Sequence, residues 1–294
     1  MKVFLVDGTY ELFRQHFGAV RHHEPDSPTL LTAGMTGVLG GALYLLEQGA
    51  THIGVATDHV IESFRNDLWA GYKTGADIDP VLRAQFEPLE EALRALGVAT
   101  WAMVDLEADD ALATAAAVCA ADPDVTQIAI CTPDKDLAQC VRGGEIVQVD
   151  RRRDLVIDEA GVIAKYGVRP TSIPDWLALV GDAADGFPGL PGWGAKTAAA
   201  VLMVHGTIEA IPQDPKMWNA PVRGAANLAR TLFDRMEDAL LFKRLATLVV
   251  DPALVSSTAD LLWTGPTPEF TAIAAGLGHP ALAARAQRLA TQRQ

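Results

Sequence analysis

The chain of 294 residues has no apolar run near the ~18 residues that a membrane helix needs, and residues 1–20 lack a signal-peptide pattern. Cysteine is scarce. Cys119, Cys131 and Cys140 are odd in number and lie in apolar segments, which excludes a disulfide scaffold and suits buried free thiols in a reducing compartment. There is no internal repeat and no low-complexity run beyond Ala-rich helix. Basic residues are also short, with 24 Lys+Arg against 37 Asp+Glu and a formal charge of −13. Taken alone, that balance argues against a nucleic-acid partner, because phosphate binders are usually basic. The shortage is uneven, however: residues 1–185 hold 29 acids and 14 bases, whereas residues 186–294 hold 8 and 10. At 49% hydrophobic and 21% charged, the chain has the composition of an ordinary globular protein, long enough for one large domain or two moderate ones.

The first half alternates short apolar runs with amphipathic stretches. Residues Lys2–Val6, Ile53–Thr57, Val98–Val104, Gln127–Cys131 and Ile146–Val149 read as strands buried on both faces. Between them Leu31–Gln48, Pro80–Leu96 and Glu107–Ala121 read as helices. This succession predicts an α/β fold with a mostly parallel central sheet and helices on both faces. After about residue 155 the strand signal stops. There Glu159–Tyr166, Ile173–Val180, Lys196–His205 and Thr231–Thr247 read as helices. Residues 186–194 (GFPGLPGWG) hold four glycines and two prolines, which makes them a loop whose backbone can approach a ligand closely. The expected organisation is a catalytic domain over 1–165, a helical binding region over 166–255 and a helical extension over 256–294.

Ligands of such sheets bind beyond the carboxyl ends of the strands. Asp7, Asp58 and the pair Asp134 and Asp136 fall at strand ends, and Glu107, Asp109 and Asp110 open a helix after another strand. Asp182 and Asp185 repeat the i, i+3 spacing of Glu107 and Asp110 just before the glycine-rich loop. Singly, each has an ordinary explanation as a turn, a helix cap or a favourable charge at a helix start. Jointly they repel one another unless cations sit among them. Oxygen-only ligation without a His or Cys cluster suits two Mg²⁺ or Mn²⁺ ions, the usual device for cleaving phosphodiesters.

Cations nearby point to a phosphate. A helix carrying Arg65 and Lys73 after Asp58 would face a scissile phosphate, and Arg14 lies on the helix opened by Asp7. Each also reads as an ordinary surface charge or helix-face ion pair, and Arg151–Arg153 as a solvated turn. The loop holding Gly189, Gly192 and Gly194 leads into Lys196 and Thr197. It is not a nucleotide-binding P-loop, because Ala195 separates the glycine from the lysine. It looks like a helix-hairpin-helix turn, whose amides hold one DNA phosphate without reading bases.

Five segments in this order resemble the 5′ nuclease, or flap endonuclease, family: LVDGTYELFR around Asp7, TDHVIESFRNDLWAGYK around Asp58, LEADDALAT over 106–114, TPDKDLAQCV over 132–141 and LVGDAADGFPGLPGWGAKTAAAVL over 179–202. The likeness is to its bacterial branch, the N-terminal 5′–3′ exonuclease domain of DNA polymerase I and its stand-alone relatives, over residues 1–250. It implies a PIN-like nuclease fold with a helical hairpin region. It further implies one metal at Asp7, Asp58, Glu107, Asp109 and Asp110 and another at Asp134, Asp136, Asp182 and Asp185. The hairpin is implied to hold duplex DNA, with a K⁺ ion on its carbonyls. Two departures are visible. Relatives usually carry an arginine three residues past the lysine, where this chain has Ala76, a change on the order of 10²-fold in rate. The arch segment, residues 66–86, is short and poor in bases, so cleavage is more strongly expected than threading of a 5′ end.

The expectation is therefore a stand-alone, monomeric, cytoplasmic bacterial hydrolase. It would cut DNA phosphodiesters at 5′ flaps and branches and degrade 5′ ends, RNA-primed ends included, by a two-metal mechanism in replication and repair. Two alternatives stay open on the residues: a PIN-type ribonuclease, and a branched-DNA-binding protein with little catalysis.

Overall fold

The computed structural model describes residues 1–24 and 26–293. These form two compact units: Met1–Ile61 with Gly75–Thr132 and Val250–Gln294, and Glu62–Thr74 with Pro133–Val249. In chain order, the elements begin with β1 (Lys2–Asp7), α1 (Gly8–Val20), α2 (Ala33–Glu47), β2 (His52–Asp58), α3 (Phe64–Leu68) and α4 (Pro80–Arg83). They continue with α5 (Phe86–Ala95), β3 (Ala99–Met103), α6 (Ala108–Ala120), β4 (Gln127–Cys131), β5 (Ile146–Asp150) and β6 (Leu155–Ile157). The remainder is helical: α7 (Glu159–Tyr166), α8 (Ile173–Val180), α9 (Ala195–His205), α10 (Ala225–Asp234), α11 (Met236–Ala246), α12 (Glu269–Gly276) and α13 (Pro280–Gln292).

In the first unit the strands run parallel in the order β3-β2-β1-β4, with Leu5 paired to Gly54 on one side and Ile130 on the other. Val3, Leu5, Ile53, Val55, Ile128 and Ile130 are fully buried, which is why these runs read as nearly continuous apolar sequence. The crossovers β1→β2→β3 step one way along the sheet, and β3→β4 steps back across it. Right-handed connections therefore put α2 and α5 on one face and α6 on the other, where α6 packs across all four strands. Residues 250–293 return to this unit. The Trp263 amide donates to the Thr51 carbonyl at 2.9 Å and its indole to the Leu96 carbonyl at 2.8 Å, and Arg285 pairs with Glu47 at 2.8 Å.

The second unit is an antiparallel β5–β6 hairpin with helices around a core of Trp218, Phe187 and Phe242, the two phenylalanines stacked at 5.7 Å. Across the two units four expectations are corrected. Residues Leu155–Ile157 form a strand although Leu155 and Val156 are exposed, and it turns back on β5 through the 151–154 turn that holds the three arginines. The single helix expected over Thr231–Thr247 is two helices broken at Arg235, and the one over Pro80–Leu96 is two broken at Ala84–Gln85. Of the cysteines, Cys119 and Cys131 are buried, but Cys140 is half-buried.

Candidate metal centre

Between β1 and β4 the connections leave in opposite directions, opening a crevice at the carboxyl ends of the strands. Asp7 closes β1 there. Its Oδ1 accepts from the Tyr10 amide at 2.8 Å, and its Oδ2 accepts from the Thr132 hydroxyl at 2.9 Å. Asp58 closes the neighbouring β2, where its amide donates to the Thr9 hydroxyl at 2.8 Å and its Oδ1 accepts from the Ala108 amide at 2.7 Å. Glu107 and Asp110 form a reciprocal capping box at the start of α6, the Glu107 amide donating to Asp110 Oδ2 at 2.9 Å. Both are buried and Asp109 is half-buried. Asp7, Glu107 and Asp110 thus double as local caps, and Asp58 ties the end of β2 to the start of α6, while all are held at one edge of the sheet.

In the second unit, one oxygen each of Asp136, Asp182 and Asp185 lie within 4.8 Å of one another, and all three residues are buried. The turn after α8 brings the last two together: Asp182 Oδ1 accepts from the Ala184 amide at 2.9 Å, and the Asp182 and Phe187 backbones pair across it. Gly186 allows the reversal at φ +84°, where a methyl group would lie 2.0 Å from the Gly71 carbonyl oxygen. Lys135 Nζ reaches Asp182 at 2.6 Å, and Lys73 Nζ reaches Asp185 at 3.1 Å. Burial, then the neighbouring charges of Asp134, Asp185 and Asp182, pushes the Asp136 carboxyl well above the usual carboxylate range. Burial pulls the Lys135 ammonium down, but its bond to Asp182 and the surrounding acids carry it above its ordinary value. The Tyr166 phenol is raised by burial and then by the charges of Asp134 and Asp136. Asp134 itself is exposed and accepts from the Asp136 amide at 3.1 Å.

Asp136 Oδ1 is buried without a hydrogen-bond partner among the described residues. An orphaned carboxylate oxygen inside an all-oxygen set fits a hard divalent cation. Lys135 and Tyr166 escaped the sequence reading. The alternation Asp134-Lys135-Asp136 holds the lysine in plain view, but only the turn shows that it points to Asp182.

The cations are placed unequally. Arg65 corrects an expectation: it is buried in α3, its Nε donating to the Leu245 carbonyl at 2.8 Å and its Nη2 to the Thr247 carbonyl at 3.2 Å. Those donors tie the unit together, and Arg65 and Lys73 do not share one helix, because α3 ends at Leu68. Arg14 pairs with Glu11 one turn earlier in α1, the helix-face pair weighed for it. In the hairpin, Gly189 is buried at φ +68°, with a methyl there only 2.3 Å from the Gly181 nitrogen, so it shapes the turn from inside. Gly192, Gly194 and Lys196 are exposed, Thr197 is half-buried, and α9 starts on Gly194 without a side-chain cap.

Two family models cover this chain: "5'-3' exonuclease, N-terminal resolvase-like domain" over residues 2–167, and "5'-3' exonuclease, C-terminal SAM fold" over residues 168–269. DNA polymerase I of Pseudomonas aeruginosa is 36% identical over 258 residues, spanning 85% of this chain and 27% of that protein. The chain thus spans under a third of the length of the polymerases it matches. The 5'-3' exonuclease of Buchnera aphidicola subsp. Baizongia pistaciae is 32% identical over 250 residues, spanning 84% of this chain and 81% of that one. In fold, the chain resembles the bacteriophage T5 flap endonuclease in complex with DNA and metal ions. The TM-score is 0.62 at 16% identity, covering 98% of each chain.

Proposed function

The chain belongs to the 5′-3′ exonuclease family, and on that premise we propose that it is a divalent-metal-dependent 5′ nuclease. It hydrolyses DNA phosphodiesters at 5′ flaps, branches and nicks, RNA-primed ends included, and degrades 5′ ends. The observation that carries this reading is the buried Asp136, Asp182 and Asp185 group with its orphaned oxygen. Asp134, Asp136, Asp182 and Asp185 hold one Mg²⁺ or Mn²⁺, and Asp7, Asp58, Glu107, Asp109 and Asp110 hold another. When bound there, the cations would supply a water of lowered pKa and charge neutralisation at the leaving oxygen.

The chain's own groups do the rest. Fixed amides and the Thr132 hydroxyl hold Asp7 and Asp58 in place. The Lys73 ammonium, resting on Asp185, is the candidate stabiliser of charge on the phosphate, with Arg14 in a lesser role. The exposed amide end of α9, with Gly192, Gly194, Lys196 and Thr197, grips a duplex phosphate, and the hairpin carbonyls hold K⁺. The catalytic domain of 1–165 supplies all of the metal-binding carboxylates except Asp182 and Asp185, which come from the duplex-binding region of 166–255, and 256–294 is a helical extension. The protein works as a monomer in the cytoplasm, in replication, repair and primer removal.

A 5′-labelled double-flap substrate with Mg²⁺ or Mn²⁺ tests the reading. Wild type is expected to release a discrete product, and Asp136→Asn and Asp58→Asn none. Wild-type turnover by both variants overturns the metal assignment. Preferential cleavage of single-stranded RNA would favour a PIN-type ribonuclease. Flap binding without product across both metals would favour a DNA-binding protein.

A further inference from the structure

Next to Asp58 the first unit carries a cavity of about 190 Å³, walled by Asp58, His59, Arg83 and Glu87 over the apolar Ile61 and Phe86. His59 is anchored from behind: its Nδ1 lies 2.9 Å from Oε2 of Glu90, whose side chain is 2% exposed. The other oxygen of Glu90 accepts from the buried Thr57 hydroxyl at 2.8 Å. Glu90 thus holds Nδ1, which leaves Nε2 as the ring's remaining polar atom. Arg83 is partly tied down by its Nη1 contact to the Gly75 carbonyl at 3.4 Å. Thr57 satisfies one oxygen of the buried Glu90 and His59 the other, and this second bond fixes the angle of an exposed ring at the mouth of a cavity.

The lining selects the ligand class. Glu87, which lies outside the metal set, opposes a free phosphate. A planar, uncharged group with donors and acceptors on its edge meets an imidazole, a carboxylate acceptor, a guanidinium donor and an apolar wall. The volume is well under the ~300 Å³ at which pockets for drug-sized ligands begin. We propose that this cavity takes the nucleobase of one unpaired nucleotide on the 5′ strand, with His59 in contact with the base edge and Glu90 as its positioning residue. The inference rests on the nuclease reading of the neighbouring carboxylates.

The test is binding of one-nucleotide 5′ flaps in Ca²⁺, measured by fluorescence anisotropy. One flap bears adenine or thymine and the other an abasic residue. Wild type is expected to prefer the base-bearing flap by roughly 5- to 100-fold, the range of one base contact. His59→Ala and Glu90→Gln are expected to bring that ratio toward one, and His59→Asn to keep part of it. A merely structural role for Glu90 would shift the melting temperature and leave the ratio intact. Equal binding of the two flaps by wild type, or a ratio that survives in His59→Ala, overturns the proposal. Failure of the nuclease reading shows separately, as no product from wild type in Mg²⁺ or Mn²⁺.

Discussion

In the first unit Asp7, Asp58 and Asp110 each rest on a backbone amide, whereas in the second unit Asp182 adds the Lys135 ammonium to its backbone amides and Asp185 takes that of Lys73. The two supports differ in kind. An amide is fixed with the fold, carries a partial charge and does not titrate. An ammonium brings a full charge on a long flexible stem and is free to yield its place to another cation or follow a passing phosphate. The first group is therefore rigid in its electrostatics, and the second is adjustable. Asp136 marks the strain of the adjustable group, with its carboxyl held far above the usual range among three other acids.

The sharpest challenge to this contrast is Asp136→Asn. Flap cleavage is expected to fall by roughly 10³-fold or more, the upper end of what one electrostatic group in a preorganised site contributes. The same change should relieve the metal-free protein. Because its pKa is raised in the folded state, Asp136 contributes stability that is full below the ordinary carboxylate value and fades as pH rises through the raised one. Melting of chelator-treated wild type should therefore drop over that pH rise, and Asp136→Asn should flatten the drop. Identical pH profiles would remove the strain from the second group.

Lys73→Ala comes next, with kcat on a flap substrate expected to fall by roughly 10²-fold in single-turnover assays. A fall in binding alone would make Lys73 a mere counter-charge. Lys135→Ala uncovers Asp182 and should destabilise the metal-free chain by about 1–3 kcal/mol in denaturant titration. Added Mg²⁺ should recover most of that loss, because a cation can take the place of an ammonium. Thr132→Val is the counterpart in the rigid group. Loss of the 2.9 Å bond to Asp7 should lower stability by about 1 kcal/mol. Mg²⁺ recovery equal to that of Lys135→Ala would erase the distinction between the two groups.

How far the sequence carried these conclusions depended on the reach of each cause. Strands β1, β2 and β4 were legible because burial on both faces writes a continuous apolar run, with an Asp at or soon after its end on one edge, whereas β3 is half-buried along most of its length. β6 was not, since Leu155 and Val156 are exposed and its three residues offer no period. The break at Arg235 is hidden because Leu228, Leu232, Ala239 and Phe242 continue one apolar stripe through both helices. The carboxylates could be picked out as a set and Lys73 with them, but not Lys135 nor the burial of Arg65. Arg65 shows why: its partners lie 180 and 182 residues away, and no local pattern announces that a cation will be buried against carbonyls.

The return of residues 250–293 to the first unit has a consequence for how the chain is made. The Thr51 carbonyl, the Leu96 carbonyl and Glu47 all wait for Trp263 and Arg285. During synthesis β1 to β4 emerge early, yet the edge they present stays open until Trp263 and Arg285 have emerged as well. The second unit, apart from residues 62–74, is contiguous and emerges in the interval. Completion of the first unit is therefore expected to follow that of the second, so a released chain truncated at residue 255 should be cut by protease near β2 while its helical region is already protected.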